Sequence, residues 1–370
     1  METIQKIKKL LLCQMPGSAC NLRCEYCYIT NQNMWNSEIR KLDHSPLEIA
    51  EALSVKRMGG ICLINFCGEG ETLLSEEALE LVYEWAKDGH YIEIVTNGTL
   101  KKRFETISKY PMEILSHIAF KFSFHYAELK RLNLLEVFFD NIYLMHEAGC
   151  SFTIEMTPYD GIDDCKEEIL AVCEEKIGAP CHLTIVRDDT QMGIPVMSDK
   201  SLEDYYNFWS DFGSSMFDFK KSIYGIKRKE FCYAGLLSLN INLANGNYSK
   251  CYGCAPVGNI FEDMSKPIDS SAIGKCAVAH CYNGHAHLAL GLIPNLSTPT
   301  YSKICNIRLK DGTDSLSEEF KQIYSQKVSD NNQLLTVKEE KAIYRRAAFE
   351  EMRVKGKANL KRLVKKVLGL

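Results

Sequence analysis

Three cysteines stand within eight residues near the start of the chain, in the stretch "CNLRCEYCY". Their spacing is C-x3-C-x2-C, from Cys20 through Cys24 to Cys27. A structural zinc site needs four ligands and disulfides use cysteines in pairs, so three neighbouring thiols suit neither. A [4Fe–4S] cluster held by three thiolates would leave one iron free to bind another molecule. The alternative is three buried cysteines without a chemical role.

The same stretch carries an aromatic residue, Tyr26, immediately before its third cysteine. With it, the motif resembles that of the radical S-adenosylmethionine (SAM) superfamily. The resemblance implies that Cys20, Cys24 and Cys27 bind a catalytic [4Fe–4S] cluster whose open iron chelates the methionine part of SAM, and that Tyr26 borders this site. It also implies reductive cleavage of SAM to a 5′-deoxyadenosyl radical that removes a hydrogen atom from a substrate carbon, with an electron donor such as flavodoxin or ferredoxin.

A loop after the second predicted strand, in "NFCGEGETLL", supplies a further point of resemblance. Its Glu69, Gly70 and Glu71 align with the Gly-Gly-Glu motif of the superfamily, whose backbone holds the amino group of SAM. The chain departs from that motif by having Glu69 for the first glycine and Thr72 for the usual proline. A glycine is physically reasonable where backbone must approach another group closely. The alternative is a simple turn between a strand and a helix.

Polar residues end the four strands that follow. The resemblance implies that Asn97 and Ser123 contact the ribose and carboxylate of SAM. His125 could be a substrate contact or a buried histidine with satisfied hydrogen bonds. Glu155 and Arg187 complete the ring of strand ends, and Arg187 could pair with a carboxylate of SAM or of the substrate, or form an ordinary salt bridge.

A second group of cysteines lies between residues 232 and 305. Thirteen residues separate Cys232 from Gly246, and four separate Gly246 from Cys251. This spacing resembles the C-x9-15-G-x4-C motif of the SPASM and twitch extensions found on many radical SAM enzymes. In those extensions the two cysteines flank a β-hairpin and help to bind an auxiliary iron–sulfur cluster.

The resemblance implies a ligand set for one auxiliary [4Fe–4S] cluster. The set is Cys232, Cys251, Cys276 and Cys281, with Cys254 and Cys305 as substitutes. Zinc is the alternative, because Cys251-x2-Cys254 with Cys276-x4-Cys281 would make a zinc ribbon.

Alternating apolar runs and helical segments must position these groups. The predicted strands are Lys9–Met15, Ile61–Cys67, Tyr91–Thr96, His117–His125, Ser151–Thr157 and His182–Arg187. The predicted helices are Pro46–Met58, Glu76–Asp88, Thr99–Lys109, Leu129–Ala148, Asp163–Lys176 and Leu202–Phe212. Strict alternation predicts parallel βα units, hence an α/β fold with a partial (β/α)6 TIM-like barrel and its chemistry at the C-terminal strand ends.

The composition changes after this region and predicts a division into three parts. Residues 1–215 form the barrel, and residues 216–314 form a small α+β domain whose β-hairpin turns at Ala244–Asn247. Residues 315–370 form a helical, basic tail. Its amphipathic end could lie on an anionic membrane surface, although a helix packed on the protein is the alternative.

The bulk composition excludes several classes of protein. The chain has 370 residues, of which 16 are cysteines, and a formal net charge of −4. That charge gives no argument for nucleic acid, and the apolar runs are too short to cross a bilayer. No signal peptide is visible at the N-terminus, so we expect a cytoplasmic protein, where clustered cysteines more often bind metal than form disulfides.

The expected function is that of a radical SAM enzyme of the oxidoreductase type. The twitch resemblance favours net oxidation or bond formation on a sugar-derived, glycan or other small-molecule substrate. One alternative is a maturase that acts on a ribosomally made peptide or protein side chain. A zinc-stabilised binding protein without enzymatic activity is the alternative from a different class.

Overall fold

The computed structural model describes residues 5–347 and residue 349. Its central feature is a sheet of nine strands in the order β6-β5-β4-β3-β2-β1-β7-β8-β9. The strands are β1 (Lys9–Met15), β2 (Cys62–Gly68), β3 (Tyr91–Thr96), β4 (Ile118–Ser123), β5 (Ser151–Met156), β6 (His182–Leu183), β7 (Ser238–Asn242), β8 (Asn247–Ser249) and β9 (Pro256–Asn259). Strands β1 to β6 are parallel and adjacent in chain order, which confirms the predicted partial barrel.

Helices connect and cover these strands. They are α1 (Tyr28–Asn31), α2 (Pro46–Ala52), α3 (Val55–Met58), α4 (Glu77–Lys87), α5 (Lys101–Ile107), α6 (Met112–Leu115), α7 (Tyr126–Arg131), α8 (Leu135–Glu147), α9 (Lys166–Ile177), α10 (Leu202–Phe208), α11 (Ser215–Ile223), α12 (Gly284–Ala289), α13 (Tyr301–Cys305) and α14 (Glu318–Ser325). Residues 337–347 are also helical.

Two long predicted helices are each split in the structure. The predicted Pro46–Met58 helix is α2 followed by α3, because Ser54 has extended backbone (φ −56°, ψ 151°). The predicted Leu129–Ala148 helix is α7 followed by α8, and Asn133 between them has φ +55°. A left-handed residue cannot continue a right-handed helix, and asparagine tolerates that conformation better than most residues do.

The sheet has a different apolar core on each face. One face of β1 contributes Leu11 and Cys13 to the core beneath the connecting helices. The opposite face contributes Leu10 and Leu12 to a core filled by the C-terminal part of the chain, including Phe320. The alternation follows from the two-residue period of a strand. C-terminal residues therefore fill the inner side of the barrel.

The segment predicted as a separate small domain continues the barrel sheet. β7 runs parallel to β1, with Leu10 opposite Ser238 and Gln14 opposite Asn242. β8 pairs antiparallel with β7 and forms the predicted hairpin, and β9 adds a strand that the sequence did not predict. The predicted boundary near residue 215 therefore falls inside one continuous sheet, and the division into domains stays a prediction.

Residues after 314 also pack against the barrel. The Ser317 backbone N–H donates to Ser151 Oγ at 2.9 Å, and the Tyr324 hydroxyl donates to Glu93 Oε2 at 2.8 Å. The basic amphipathic end of the predicted tail lies outside the described residues. Among the helices that the structure does describe, none is long and apolar enough to cross a membrane.

Candidate active site

The three N-terminal cysteines line one cavity at the C-terminal ends of the parallel strands. Its volume is about 140 Å³. The predicted residues that line it are Cys20, Cys24, Cys27, Glu69, Gly70, Glu71, Asn97 and Ser123, with His125 beside them. Residues separated by about 100 positions in sequence thus meet at one place because parallel strands end at the same edge of a sheet.

Gly70 holds its loop against the backbone that leads into the cysteines. The Gly70 N–H donates to Gly17 O at 3.2 Å, and the Glu71 N–H donates to Ala19 O at 2.9 Å. A Cβ atom on Gly70 would stand only 1.9 Å from Ala19 O. The glycine is therefore needed for a close approach to the protein's own backbone, in addition to any contact with SAM.

The Glu71 carboxylate closes this loop onto the third strand. It accepts hydrogen bonds from Thr96 Oγ1 at 2.6 Å, from the Asn97 N–H at 2.7 Å and from the Leu73 N–H at 3.0 Å. Burial raises the pKa of Glu71, and these three donors act in the opposite direction. Its side chain therefore holds the loop and is not free to bind a ligand.

Asn97 connects the third strand to the cysteine loop. Its Nδ2 donates to Asn21 Oδ1 at 2.8 Å and lies 3.8 Å from Cys20 Sγ. Its Oδ1 accepts from the Thr99 N–H at 3.1 Å and from Thr99 Oγ1 at 2.6 Å. Asn97 thus orients the first cysteine, a role that the sequence did not indicate.

Tyr26 and His125 form a pair at the rim of the cavity. The Tyr26 hydroxyl lies 2.6 Å from His125 Nδ1, and its ring packs 4.7 Å from that of Tyr159. Burial lowers the pKa of His125 to about 4, so the imidazole is neutral at pH 7. Tyr26 itself lines the larger cavity described below.

The three thiols fit a cluster with one open iron. Burial raises the pKa of Cys20 to about 11 and also raises the pKa values of Cys24 and Cys27. Metal must therefore displace the protons when it binds. Within the described residues, no three His, Cys, Asp or Glu side chains converge on one point as a single metal ion requires. In a cubane cluster each thiolate binds its own iron, so its ligands need no such convergence.

A second, larger cavity of about 720 Å³ adjoins the first. Both cavities are lined by Cys27, Gly68, Glu69, Val95 and His125. The larger one extends beneath the C-terminal part of the chain, where Tyr252 and Cys281 line it. A ligand there would lie between the N-terminal cysteines and the second cysteine group.

A buried ionic network forms part of the floor of the larger cavity. Lys121 Nζ lies 3.0 Å from Glu155 Oε1 and 3.4 Å from Glu93 Oε1, and it donates to the Tyr301 hydroxyl at 2.7 Å. Burial alone would lower the pKa of Lys121, but the two carboxylates outweigh it and raise that pKa. The sequence prediction included Glu155 and missed the other three residues. For Glu93 and Lys121 the signal was a single charged residue within an otherwise apolar strand, in "YIEIVT" and in "FKFSF".

Arg187 lies in the larger cavity and does not line the smaller one. Strand β6 ends at Leu183, so Arg187 follows it in a loop and forms an isolated bridge with Val196. Its Nη1 donates to Tyr282 O at 3.3 Å. The contact of Arg187 with a carboxylate of SAM or of the substrate stays a prediction, and its guanidinium lies where a ligand of the larger cavity would meet it.

Five cysteines of the second group lie together. They are Cys232, Cys251, Cys254, Cys276 and Cys281. Burial, and after it the nearby thiolates of Cys232, Cys254 and Cys276, raises the pKa of Cys251 to about 12. Burial raises the pKa of Cys281 as well, with Cys251, Cys232 and Cys276 adding to it.

Cys305 belongs to a different part of the structure. It is fully buried, and the charged groups that act on its pKa are Lys121, Glu93 and Glu155. It therefore lies beside the buried ionic network and not with the five gathered cysteines, which argues against its predicted role as a substitute ligand. Cys254 does lie with the other four, and it is exposed.

The hairpin positions the second cysteine group as the sequence predicted. Gly246 turns between β7 and β8 with φ +74°, and its missing side chain leaves room for the Phe261 ring, 2.5 Å from where a Cβ would lie. Strand β8 ends at Ser249, two residues before Cys251. The turn thus fixes where Cys251 stands relative to the barrel.

The family model of the Radical SAM superfamily matches residues 15–173. That range includes the three N-terminal cysteines and the loops that form the smaller cavity. A comparison with curated protein sequences found no match.

Several solved structures resemble this chain at low identity. A crystal structure of Streptococcus suis SuiB is 15% identical over 69% of this chain and 64% of that chain, with a TM-score of 0.48. Native anSMEcpe with bound AdoMet and Kp18Cys peptide is 16% identical over 95% of this chain and 99% of that chain, with a TM-score of 0.46. BtrN in complex with AdoMet and 2-DOIA is 15% identical over 70% and 81%, with a TM-score of 0.33.

The chain spans less than two thirds of the SuiB chain, 64% of its length. At these identities and TM-scores, none of the likenesses assigns a substrate to this chain.

Proposed function

We propose that this chain, whose residues 15–173 match the family model of the Radical SAM superfamily, cleaves SAM reductively and uses the resulting radical to oxidise or couple a small-molecule substrate. The observation that carries the proposal is the smaller cavity, where Cys20, Cys24 and Cys27 meet the glycine-containing loop and the ends of two further strands. When bound, a [4Fe–4S] cluster with SAM would supply a 5′-deoxyadenosyl radical that removes a hydrogen atom from a substrate carbon.

The residues of this chain would hold and shield that chemistry. Asn97 and the Gly70 loop fix the backbone that carries Cys20, so the thiols are positioned before metal binds. Neutral His125 and Tyr26 separate the smaller cavity from the larger one without adding charge. Such a preorganised, largely buried site excludes water and side reactions of a radical.

The larger cavity is the proposed substrate chamber. Its volume of about 720 Å³ falls within the ~300–1,000 Å³ typical of small-molecule sites. Its lining is rich in polar groups that could orient a sugar-derived or other polar molecule, among them Lys121, Glu155, Thr157 and Asn283.

An auxiliary [4Fe–4S] cluster on four of the five gathered cysteines is part of the proposal. Cys281 lines the chamber, so a cluster there would adjoin the substrate. An electron acceptor at that position would allow net oxidation of the substrate, because removal of one hydrogen atom leaves a radical that must still lose an electron.

The first experiment measures 5′-deoxyadenosine formed from SAM by anaerobically purified, chemically reduced protein. We expect the wild-type chain to form it and Cys24→Ala to form none, since one cluster ligand is lost. Cys165→Ala is the matched control, because Cys165 belongs to neither cysteine group. Turnover in Cys24→Ala equal to that of the control would refute the proposal.

The second experiment separates the two clusters by iron and sulfide analysis with electron paramagnetic resonance. Cys251→Ala should lose roughly half of the bound iron and keep SAM cleavage, while Cys24→Ala should keep the auxiliary signal. If Cys232→Ala/Cys251→Ala, which leaves three of the five gathered thiols, retains all of its iron, there is no auxiliary cluster on these thiols.

A further inference from the structure

Arg187 faces the larger cavity with most of its guanidinium unused. One N–H group donates to Tyr282 O at 3.3 Å. Among residues 5–347 and 349, no carboxylate oxygen lies within 4.0 Å of a guanidinium nitrogen of Arg187, the distance limit for an ion pair. A guanidinium presents five N–H donors in a planar fork that matches the oxygens of a carboxylate or phosphate.

Lys220 faces the same cavity from helix α11. Its side chain is only 12% exposed, and Nζ donates to Thr184 Oγ1. Its nearest carboxylate is Glu155, at 4.0 Å, and Lys121 holds that carboxylate more closely, at 3.0 Å. The Lys220 ammonium thus keeps donors for a further partner in a site that is largely shielded from water.

The two cations affect each other through the cavity. Burial lowers the pKa of Lys220 to about 8, Glu155 acts against this, and Lys121 and Arg187 lower that pKa further. Arg187 and Lys220 also act in the same direction on His285, whose pKa burial already lowers. An anion between Arg187 and Lys220 would relieve their repulsion.

Two further carboxylates, Asp189 and Glu69, line the same cavity. Both act on the pKa of Tyr28. Asp189 also acts, as Arg187 does in the opposite direction, on the pKa of Tyr224. The larger cavity therefore carries charges of both signs, and its cations include the two that keep unused donors.

We propose that the part of the larger cavity bordered by Arg187 and Lys220 is a binding site for an oxyanion, a phosphate or carboxylate group carried by the substrate, held between the Arg187 guanidinium and the Lys220 ammonium. The site deepens the proposed function, on which it rests for the assignment of this cavity as the substrate chamber. It places the anionic group of the substrate against helix α11, in a cavity that Cys27 also lines.

Calorimetric titration of the cluster-containing, anaerobic full chain tests the site with two probes. Sodium sulfate represents a phosphate group and sodium acetate represents a carboxylate, both at constant ionic strength and pH 8. We expect saturable binding at one site, and the tighter of the two anions names the class of group. Failure of both anions to saturate a site would overturn the proposal.

Matched variants locate the site. Arg187→Gln and Lys220→Gln should each weaken binding by about tenfold or more, because each removes a charge-assisted hydrogen bond. Lys221→Gln makes the same change one residue later on the exposed side of the helix, and it should alter binding by less than about twofold. Equal losses in all three variants would show a general charge effect and overturn the proposal.

Proton uptake identifies Lys220 independently. Sulfate beside Lys220 should raise its pKa, so binding at pH 8 takes up a fraction of a proton, measured from heats in buffers of different ionisation enthalpy. Three other ionisable groups face Lys220. The pKa of Lys121 is raised, and the pKa values of Glu155 and His285 are lowered, so none of the three titrates near pH 8. Lys220→Arg should bind sulfate without proton uptake, and uptake that persists in that variant would refute the role of Lys220.

Cleavage of SAM in the absence of substrate separates this proposal from the proposed function. Lys221→Gln should form 5′-deoxyadenosine at the wild-type rate, since Lys221 is exposed and lines neither cavity. Wild-type protein that binds sulfate and forms no 5′-deoxyadenosine would reject the proposed function alone. Wild-type protein that cleaves SAM and binds neither anion would reject the oxyanion site alone.

Discussion

At the scale of single residues, Gly70 shows how little space separates the two loops of the smaller cavity. Gly70→Ala would place a Cβ 1.9 Å from Ala19 O, and backbone must move to accept it. We expect a loss of about 3 kcal/mol in the free energy of unfolding and a clear loss of iron from the N-terminal cluster. Chemical denaturation and iron analysis measure both effects.

The control for this substitution is Gly213→Ala. Gly213 has φ +56°, and no atom lies within 4 Å of its would-be Cβ. In that variant only the backbone strain of a left-handed residue lowers the free energy of unfolding, by about 1 kcal/mol, and it should keep its iron. Normal iron content in Gly70→Ala would mean that the two loops can separate without disturbing the cysteines.

The lowered pKa of Lys220 should make the free energy of unfolding depend on pH. Its pKa is lowered to about 8 in the folded protein, against about 10.4 in an unfolded chain. Between these values the unfolded chain binds more protons, so the stability of the wild-type chain should rise with pH relative to Lys220→Met. The difference in slope should reach about 1 kcal/mol per pH unit.

Denaturant unfolding of both proteins at pH 7, 8, 9 and 10 measures this slope. Below pH 8 the Lys220 charge is present in both states, so the difference between the two proteins should be flat there. Lys221→Met serves as the exposed control and should run parallel to the wild-type chain. A parallel course for Lys220→Met as well would show that the lysine titrates normally.

At the scale of elements, the turn at Gly246 links the hairpin to the second cysteine group. Gly246→Ala adds a Cβ 2.5 Å from the Phe261 ring at a residue with φ +74°. We expect displacement of β8 and of Cys251 behind it, and therefore loss of the auxiliary iron with the N-terminal iron retained. Electron paramagnetic resonance of the reduced protein distinguishes the two signals.

Gly225→Ala is the matched control for the hairpin. Gly225 has φ +69° and open space around its would-be Cβ, so the variant shares the backbone strain and lacks the clash. It should retain both iron signals. Loss of the N-terminal signal in Gly246→Ala would contradict the separate placement of the two groups.

The sequence predicted the elements of the barrel well where hydrophobic alternation is strong. Strands β1 and β3 have the predicted bounds, and the capping box of Ser45 and Glu48 begins α2 at the predicted Pro46. Strand β6 ends four residues earlier than predicted, at Leu183. An edge strand has a partner on one side only, so composition alone does not reveal how far its pairing extends.

The sequence also predicted part of the lining of the smaller cavity, because those residues are the spaced cysteines or lie at the ends of strands. It missed Lys121 and Lys220, which lie within a strand and a helix and gain their importance from tertiary neighbours. The position of Cys305 beside Lys121, Glu93 and Glu155 could not be predicted either, since spacing along the chain does not show which face of a helix meets a cysteine cluster.

At the scale of the whole molecule, the C-terminal part of the chain completes the barrel from inside. Tyr301 and Tyr324 both donate to Glu93 Oε2 at 2.8 Å, across more than 200 residues of sequence. The buried ionic network that includes the chamber residue Lys121 is therefore built jointly by the N-terminal strands and by residues after 300. Substitutions in either part of the chain should therefore alter the structure of the chamber.

This joint construction predicts that residues after 314 unfold together with the barrel. Phe320 is fully buried and packs edge-on against Tyr91, with ring centroids 5.5 Å apart. Phe320→Ala should cost about 3–5 kcal/mol and lower one common transition seen by circular dichroism and by the fluorescence of Trp85 and Trp209. Phe349→Ala, the same change at a side chain that is 63% exposed, should shift neither signal.

The opposite outcome would be a separate transition. If Phe320→Ala lowers the midpoint by circular dichroism while tryptophan fluorescence keeps the wild-type midpoint, residues after 314 form a unit of their own, as their composition suggested. Two of the three tryptophans, Trp85 and Trp209, are fully buried beneath the connecting helices, on the face of the sheet opposite Phe320, and Trp35→Phe in every protein compared restricts the fluorescence to them. Their fluorescence therefore reports only whether the loss of packing at Phe320 destabilises the whole barrel.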